Sequence, residues 1–186
     1  MALEYAILGF LNYGAFSGYD LKKALDASIK HFWSANQSQI YRTLSRLSED
    51  GWVEMDVVEQ DTRPDRKVYH ITEAGKTALH DWLLSPLPFE TEHSATLIQI
   101  FFSAQLDNEV VLAALEQQAK LLRTRLAEFE AIPKQAEAYI QQVDSSRDVA
   151  FWTLTLDYGI QLNRAKLAWV EAAIRTIQDI PPHDSE

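Results

Sequence analysis

The chain has 186 residues, 47% of them hydrophobic and 11% aromatic, with only six Gly and six Pro, which suits one sizeable globular domain or two small ones and excludes a collagen-like or low-complexity chain. The absence of Cys excludes disulfide frameworks, cysteine nucleophiles, iron–sulfur clusters and thiolate zinc sites. A formal charge of −10, from 17 basic against 27 acidic residues, argues against a protein that coats nucleic acid over its whole surface but leaves room for a small basic docking face.

In chain order, Leu3 to Tyr13 carries Leu3, Ile7, Leu8 and Leu11 on one face, and Gly14 supplies a stop. After a turn at Phe16-Ser17-Gly18, the segment Tyr19 to Ile29 repeats the pattern through Leu21, Leu25 and Ile29 and predicts a second short helix packed on the first. The polar break Ser34-Ala35-Asn36 then precedes a third helix, about Gln37 to Asp50. At about 100° per residue, Ile40, Leu44 and Leu47 share one face and must meet a core, while Ser38, Arg42, Ser45 and Arg46 lie opposite. Asn36 or Ser34 can cap its start, where free backbone N–H groups suit a phosphate, and Gly51 closes it.

Strict alternation places Val53, Met55 and Val57 on one side of a strand. A polar loop and a second strand, Lys67 to Ile71, complete a predicted β-hairpin. Its tip, Arg63-Pro64-Asp65-Arg66-Lys67, gathers three positive charges in an otherwise acidic chain. Thr72 can cap a fourth helix that runs through Leu79, Trp82 and Leu83 and stops at Ser85-Pro86-Leu87-Pro88, because two prolines so close together cannot sit inside a helix. The domain boundary is expected here, giving domains 1–85 and 90–186. Residues 1–85 hold nine Lys/Arg against twelve Asp/Glu and residues 86–186 eight against fifteen, so a polyanion is expected to meet the first half.

Three helices followed by a hairpin with a basic tip form a winged helix-turn-helix, in which the outer face of the third helix can enter the major groove, about 12 Å wide, while the wing reaches neighbouring phosphates. The same elements would also serve as a plain structural module with solvated surface charges.

The N-terminal half resembles the PadR family of bacterial transcriptional regulators. The resemblance rests on Ala6-Ile7-Leu8-Gly9-Phe10-Leu11, on Ser17-Gly18-Tyr19-Asp20-Leu21, on Gln39-Ile40-Tyr41-Arg42-Thr43-Leu44 with its continuation to Gly51, and on the stretch from Arg63 to Gly75. It departs from the family at Arg42, where proline is common, and at Thr62, where glycine is common; neither change removes a positive charge. The resemblance implies a homodimer that represses a nearby promoter and changes its grip when a small molecule binds. The second half resembles the longer PadR subgroup, whose C-terminal part is similar to that of virulence-gene activators and is built of helices that interlock in the dimer.

The residues of that half support a helical arm. His93 to Leu106 is too apolar, with Leu97, Ile98, Ile100, Phe101 and Phe102, for a helix wetted on one side, and is expected to be buried between partners. Asn108 to Ile132 predicts a long amphipathic helix that Pro133 kinks or ends. A last helix, about Arg147 to Ile180, shows two apolar stripes, one through Trp152, Leu156, Ile160, Asn163 and Leu167, the other through Phe151, Tyr158, Leu162, Ala165 and Trp169. A helix of that length spans about 50 Å, more than a small domain can cover, which points to a second chain; a monomeric helical bundle is the alternative. The expected fold is therefore mostly α with a small β-hairpin wing: an N-terminal winged helix-turn-helix and a C-terminal long-helix dimerisation arm.

Base-reading is expected of Ser38, Gln39 and Arg42, since Gln and Arg make bidentate pairs with adenine and guanine. Phosphate contacts are expected of Tyr41, Arg46, Arg63, Arg66 and Lys67, with Lys22, Lys23 and Lys30 as weaker candidates. A dimer would set two such modules about 34–36 Å apart on a palindromic double-stranded operator. An effector pocket, taking a small aromatic molecule between wing domain and arm, is expected to use His93, Phe101, Phe102, Arg147, Trp152, Tyr158, Asn163 and Trp169; the same rings would otherwise fill the dimer core. No metal-ligand spacing, phosphate loop or nucleophile elbow is present in the sequence, so no cofactor, metal or enzymatic activity is expected. No apolar run approaches 18 residues and no basic leader precedes the first one, so the expectation is a cytoplasmic protein with no membrane partner. The rival class is a winged-helix adaptor whose acidic arm binds a protein.

Overall fold

The computed structural model describes residues 2–30, 32–58, 66–88, 93–140 and 145–181, with 134–140 as backbone only. It divides into two compact units, 1–89 and 90–186.

In the first unit, α1 (Ala2–Tyr13) is followed by a two-residue strand β1 (Phe16–Ser17), then α2 (Gly18–Ser28), α3 (Gln37–Glu49), β2 (Val53–Val58), β3 (Arg66–Ile71) and α4 (Glu73–Leu84). The core gathers Ile7 and Leu8 of α1, Leu21 and Leu25 of α2, and Ile40, Leu44 and Leu47 of α3, each at most 1% exposed. At about 1.5–3 kcal/mol for each fully buried aliphatic side chain, this three-helix contact dominates the unit's stability. The inner face of α3 is thus the one its periodicity predicts. Gly51 ends α3 at φ 72°, a left-handed position, with Trp52 N–H donating to Leu47 O at 2.8 Å and Gly51 N–H to Ser48 O at 3.1 Å; this Schellman closure turns the chain directly into β2.

The sheet has three strands in the order β1-β3-β2, all antiparallel, where the sequence predicts a hairpin alone. The residues read as a turn at Phe16-Ser17 pair with Tyr69 and Val68, too short a segment to show a strand period. The alternation in β2 does not bury one side as expected: Val53 is buried, whereas Met55 and Val57 are exposed because the hairpin extends past the core. Likewise Leu79 of α4 is buried while Leu83 is largely exposed; Trp82 keeps an apolar contact by stacking on Tyr5, with centroids 4.6 Å apart and planes 5° apart.

In the second unit, α5 (Ala95–Phe102) passes into a 3-10 turn (Ser103–Gln105), and two helices of 33 residues follow, α6 (Asn108–Ile140) and α7 (Ser146–Gln178). Pro133 neither ends nor shortens α6, which continues to Ile140; the helix tolerates one missing N–H donor there. Val111, Leu115, Ala119 and Leu122 of α6 pack against Leu167, Val170 and Ile174 of α7. The pairs Arg123–Glu171 at 2.6 Å and Arg164–Glu130 at 2.7 Å mark the antiparallel register. Both pairs are exposed and add about 0–1 kcal/mol each, so apolar packing holds the pair of helices. No residue of α5 is buried within the single chain. No helix among the described residues is long and apolar enough to cross a membrane.

Candidate nucleic-acid interface

The exposed face of α3 begins at a capping box. Asn36 Oδ1 accepts from Gln39 N–H at 2.9 Å, and Gln39 Oε1 accepts from Asn36 N–H at 2.8 Å. Asn36, rather than Ser34, is therefore the cap, and the arrangement satisfies two backbone donors that a helix start leaves open. It also commits the Gln39 carbonyl, half of the side chain's capacity to pair with a base. Ser38 and Arg42 are exposed beside it, and Arg42 has no ion-pair partner among the described residues.

Tyr41 is half-exposed, with its ring pressed over the start of α2. A Cβ on Gly18 would stand 2.5 Å from the Tyr41 Cε1, so glycine lets the half-exposed ring lie close against the helix start, and a larger residue would push the ring aside. Behind it, burial raises the phenol of Tyr69 above its ordinary range, and the neighbouring Tyr41 adds to the effect. Arg46, its side chain still about half-exposed, forms an ion pair with the nearly buried carboxylate of Glu4 on α1.

At the wing, Arg66 opens β3 and pairs with Asp20 near the start of α2. Lys67 follows it, exposed and without an ion-pair partner among the described residues. Arg63 lies outside the described residues. His70 sits at 3.1 Å from Asp56 across the hairpin. Of the α2 lysines, Lys22 pairs with Asp26, and Lys23 lies 4.5 Å from the centre of the Tyr19 ring. The structure thus assembles Ser38, Gln39, Tyr41, Arg42, Arg46, Arg66 and Lys67 within one unit. It also adds two acids that the sequence reading missed. The spacing of Asp20 three residues after Ser17 is a capping signal available in the sequence; the Glu4–Arg46 pair is purely tertiary and leaves none.

In the second unit, a groove of about 540 Å³ lies between α5, the 3-10 turn and the adjoining ends of α6 and α7. Phe101 and Trp169 line it, and Phe102 meets Phe101 edge to face at 5.0 Å. His93, Arg147, Trp152, Tyr158 and Asn163 do not line it. Arg147 lies 5.0 Å from the Phe151 ring centre, and the buried Asn163 donates to Gly159 O at 2.7 Å, so both are occupied locally. The two stripes of α7 separate clearly. Trp152, Leu156, Ile160, Asn163 and Leu167 are buried or half-buried, whereas Phe151, Tyr158, Leu162, Ala165 and Trp169 are exposed.

Three helices, a three-stranded sheet and a wing carrying cations define a winged helix-turn-helix unit, here followed by a long-helix unit. Residues 7–81 match the transcriptional regulator PadR-like family, and residues 94–178 match the virulence activator alpha C-terminal family. A probable transcriptional regulator of Mycobacterium tuberculosis is 33% identical over 192 residues, spanning 96% of this chain and 99% of its own. The negative transcriptional regulator PadR of Bacillus subtilis is 29% identical over 178 residues, spanning 94% and 97%. Its crystal structure with operator DNA superposes with a TM-score of 0.80 at 29% identity over 95% of this chain and 99% of that one. Its complex with p-coumaric acid gives 0.78 at 27% identity over 96% and 100%. The virulence activator AphA of Vibrio cholerae gives 0.76 at 26% identity over 95% and 98%. The chain belongs to the PadR-like family of transcriptional regulators, in the longer subgroup that carries the virulence-activator C-terminal region.

Proposed function

We propose that the protein is a homodimeric repressor that binds a palindromic double-stranded operator through a DNA-binding domain, residues 1–85, within its first unit, and loosens when a small aromatic molecule binds. The observation that carries this reading is the pairing pattern on the first unit: Arg42 on the outer face of α3 and Lys67 on the wing are exposed cations without ion-pair partners among the described residues. Ser38 and Arg42 read base edges, and Gln39 joins them through its amide donor while its carbonyl holds the helix start. Tyr41, Arg66, Lys67 and Arg63 meet phosphates and fix position. Arg46, still about half-exposed, joins these phosphate contacts while its pairing with Glu4 also ties α3 to α1. The resemblance to a relative solved with operator DNA supports the same reading.

Residues 90–186 form the dimerisation arm. The exposed stripe of α7 and the apolar surface of α5, with Ile98 63% and Phe101 79% exposed in the single chain, favour a second copy as the occupant, since soluble proteins rarely leave so large an apolar surface uncovered. The aromatic effector is supported by the relative solved with p-coumaric acid and by the apolar groove that Phe101 and Trp169 line. His93, Phe102, Arg147, Trp152, Tyr158 and Asn163 are the further residues proposed for the effector response.

The test is a titration of the purified protein against the promoter upstream of its own gene and against unrelated duplex, at two salt concentrations, with light scattering on the same sample. A dimer that prefers the promoter by about a thousandfold or more is the expected result. Equal affinity for both duplexes would refute the reading.

A further inference from the structure

One carboxylate ties the root of the wing to α2. Ser17 caps α2 and Asp20 stands three residues on, so the Asp20 amide donates to Ser17 Oγ at 3.2 Å while the Ser17 hydroxyl donates to Asp20 Oδ2 at 2.5 Å. The same Oδ2 accepts from the guanidinium of Arg66, 46 positions further along the chain. The sheet brings the two together, because Ser17 of β1 pairs with Val68 of β3, two residues beyond Arg66. The Ser17 hydroxyl holds the Asp20 carboxyl below its ordinary range, with burial opposing and Arg66 and Lys23 adding to the effect. Asp20 is therefore ionised at neutral pH. Arg66 is half-exposed, so its guanidinium has room to leave.

Granting the DNA-binding reading above, we propose that Asp20 is a latch on the wing: it holds Arg66 within the protein in the free state, and a backbone phosphate must take Arg66 from it when the regulator engages a duplex. The exchange is chemically even-handed. Phosphate offers a guanidinium the same forked acceptor that a carboxylate does, and a partly exposed ion pair is weak enough to be traded. Lys67, adjacent in sequence, has no such restraint among the described residues and stands as the unlatched wing cation. Because phosphate contacts carry no sequence information, the latch lowers affinity for every duplex equally and leaves base preference alone. Asp20 is thus a positioning residue that acts through Arg66.

The test is a double-mutant cycle on the full chain, with Asp20→Asn, Arg66→Ala and the double variant titrated against the promoter duplex and an unrelated duplex. Asn retains an acceptor for the Ser17 hydroxyl and so keeps the cap; thermal unfolding verifies the fold, and Asp20→Ser replaces it should Asn destabilise the unit. Asp20→Asn is expected to tighten binding to both duplexes about two- to fivefold, as the loss of a weak pair allows, and to steepen the log affinity against log salt slope by up to about one. In the Arg66→Ala background the same change is expected to stay within about 1.5-fold. Weaker binding by Asp20→Asn, no change, or an equal gain in both backgrounds would overturn the latch, the last by showing that the carboxylate acts as a general surface charge. Wild-type protein that binds no duplex would overturn the DNA reading and the latch together, whereas wild-type binding with a flat cycle overturns the latch alone.

Discussion

Gln39 faces two demands that its side chain cannot meet at once. A bidentate pair with adenine uses both the amide donor and the carbonyl acceptor, yet the carbonyl already accepts the Asn36 N–H at 2.8 Å. Gln39→Ala removes that bond but leaves Asn36 Oδ1 on the N–H of residue 39, so half of the capping box survives. Losing one such bond on an exposed helix start costs about 0.5–1 kcal/mol. For a unit of this size that is about 2–8 °C in melting temperature, too little to populate unfolded protein at 25 °C. Affinity should therefore fall by less than about fivefold on the operator, with no more than that factor of preference lost at the one base pair its amide donor meets; a bidentate reader would instead cost about 1–3 kcal/mol and relax preference at one A·T pair. Titration of Gln39→Ala against operators altered at single base pairs, beside a thermal melt, separates the two. A loss beyond tenfold confined to one base pair, with an unchanged melt, would refute the capping argument.

Gly75→Ala should destabilise the first unit strongly, because its Cβ would stand 2.2 Å from the Trp52 carbonyl oxygen, which is itself held by the Thr72 N–H at 3.0 Å. About 1–3 kcal/mol of overpacking plus about 1 kcal/mol for the strained bond predicts a marked drop in a urea melt, and a variant within 0.5 kcal/mol of wild type would contradict the packing. Replacing both Tyr158 and Leu162 by Glu on the exposed stripe of α7 should give a monomer of unchanged helicity by light scattering and circular dichroism; a surviving dimer would place the interface elsewhere. The lowered carboxyl of Asp20 means that its contribution to stability is complete above the unfolded value, about 3.9, and is lost as pH falls through the lower folded value. The melting gap between wild type and Asp20→Asn should accordingly be constant from pH 7 to 5 and close on further acidification. A gap that narrowed toward alkaline pH instead would contradict the sign.

The fold was readable where one face of an element meets a core. The spacing of Ile40, Leu44 and Leu47 located α3 and its outer face because those side chains are fully excluded from water. The same reasoning overreached in β2, where alternation implies a buried side but the strand runs beyond the core, leaving Met55 and Val57 exposed. It passed over β1, which is defined by two residues pairing with a distant strand rather than by any local pattern. Pro133 shows a third limit: a proline predicts a lost hydrogen bond, but α6 runs on through it.

The candidate site divides along the same line. Helical phase identified Arg42 and Arg46, and the hairpin tip Arg66 and Lys67, as outward cations, but only the tertiary structure says which charges are already matched. Arg46 is paired with Glu4, Arg66 with Asp20, Lys22 with Asp26 and Lys76 with Glu73. On the DNA-binding reading this distribution has a consequence for affinity. If few cations per protomer are free to neutralise phosphate, few counterions are released, and a single unit gains little from the backbone. Strong binding then has to come from two units acting together on one duplex, with the second engagement made effectively intramolecular by the arm. The acidic balance of the chain would suppress the sequence-independent part of that binding, and on the same reading an operator preference would rest on the small outer face of α3 that includes the exposed Ser38 and Arg42.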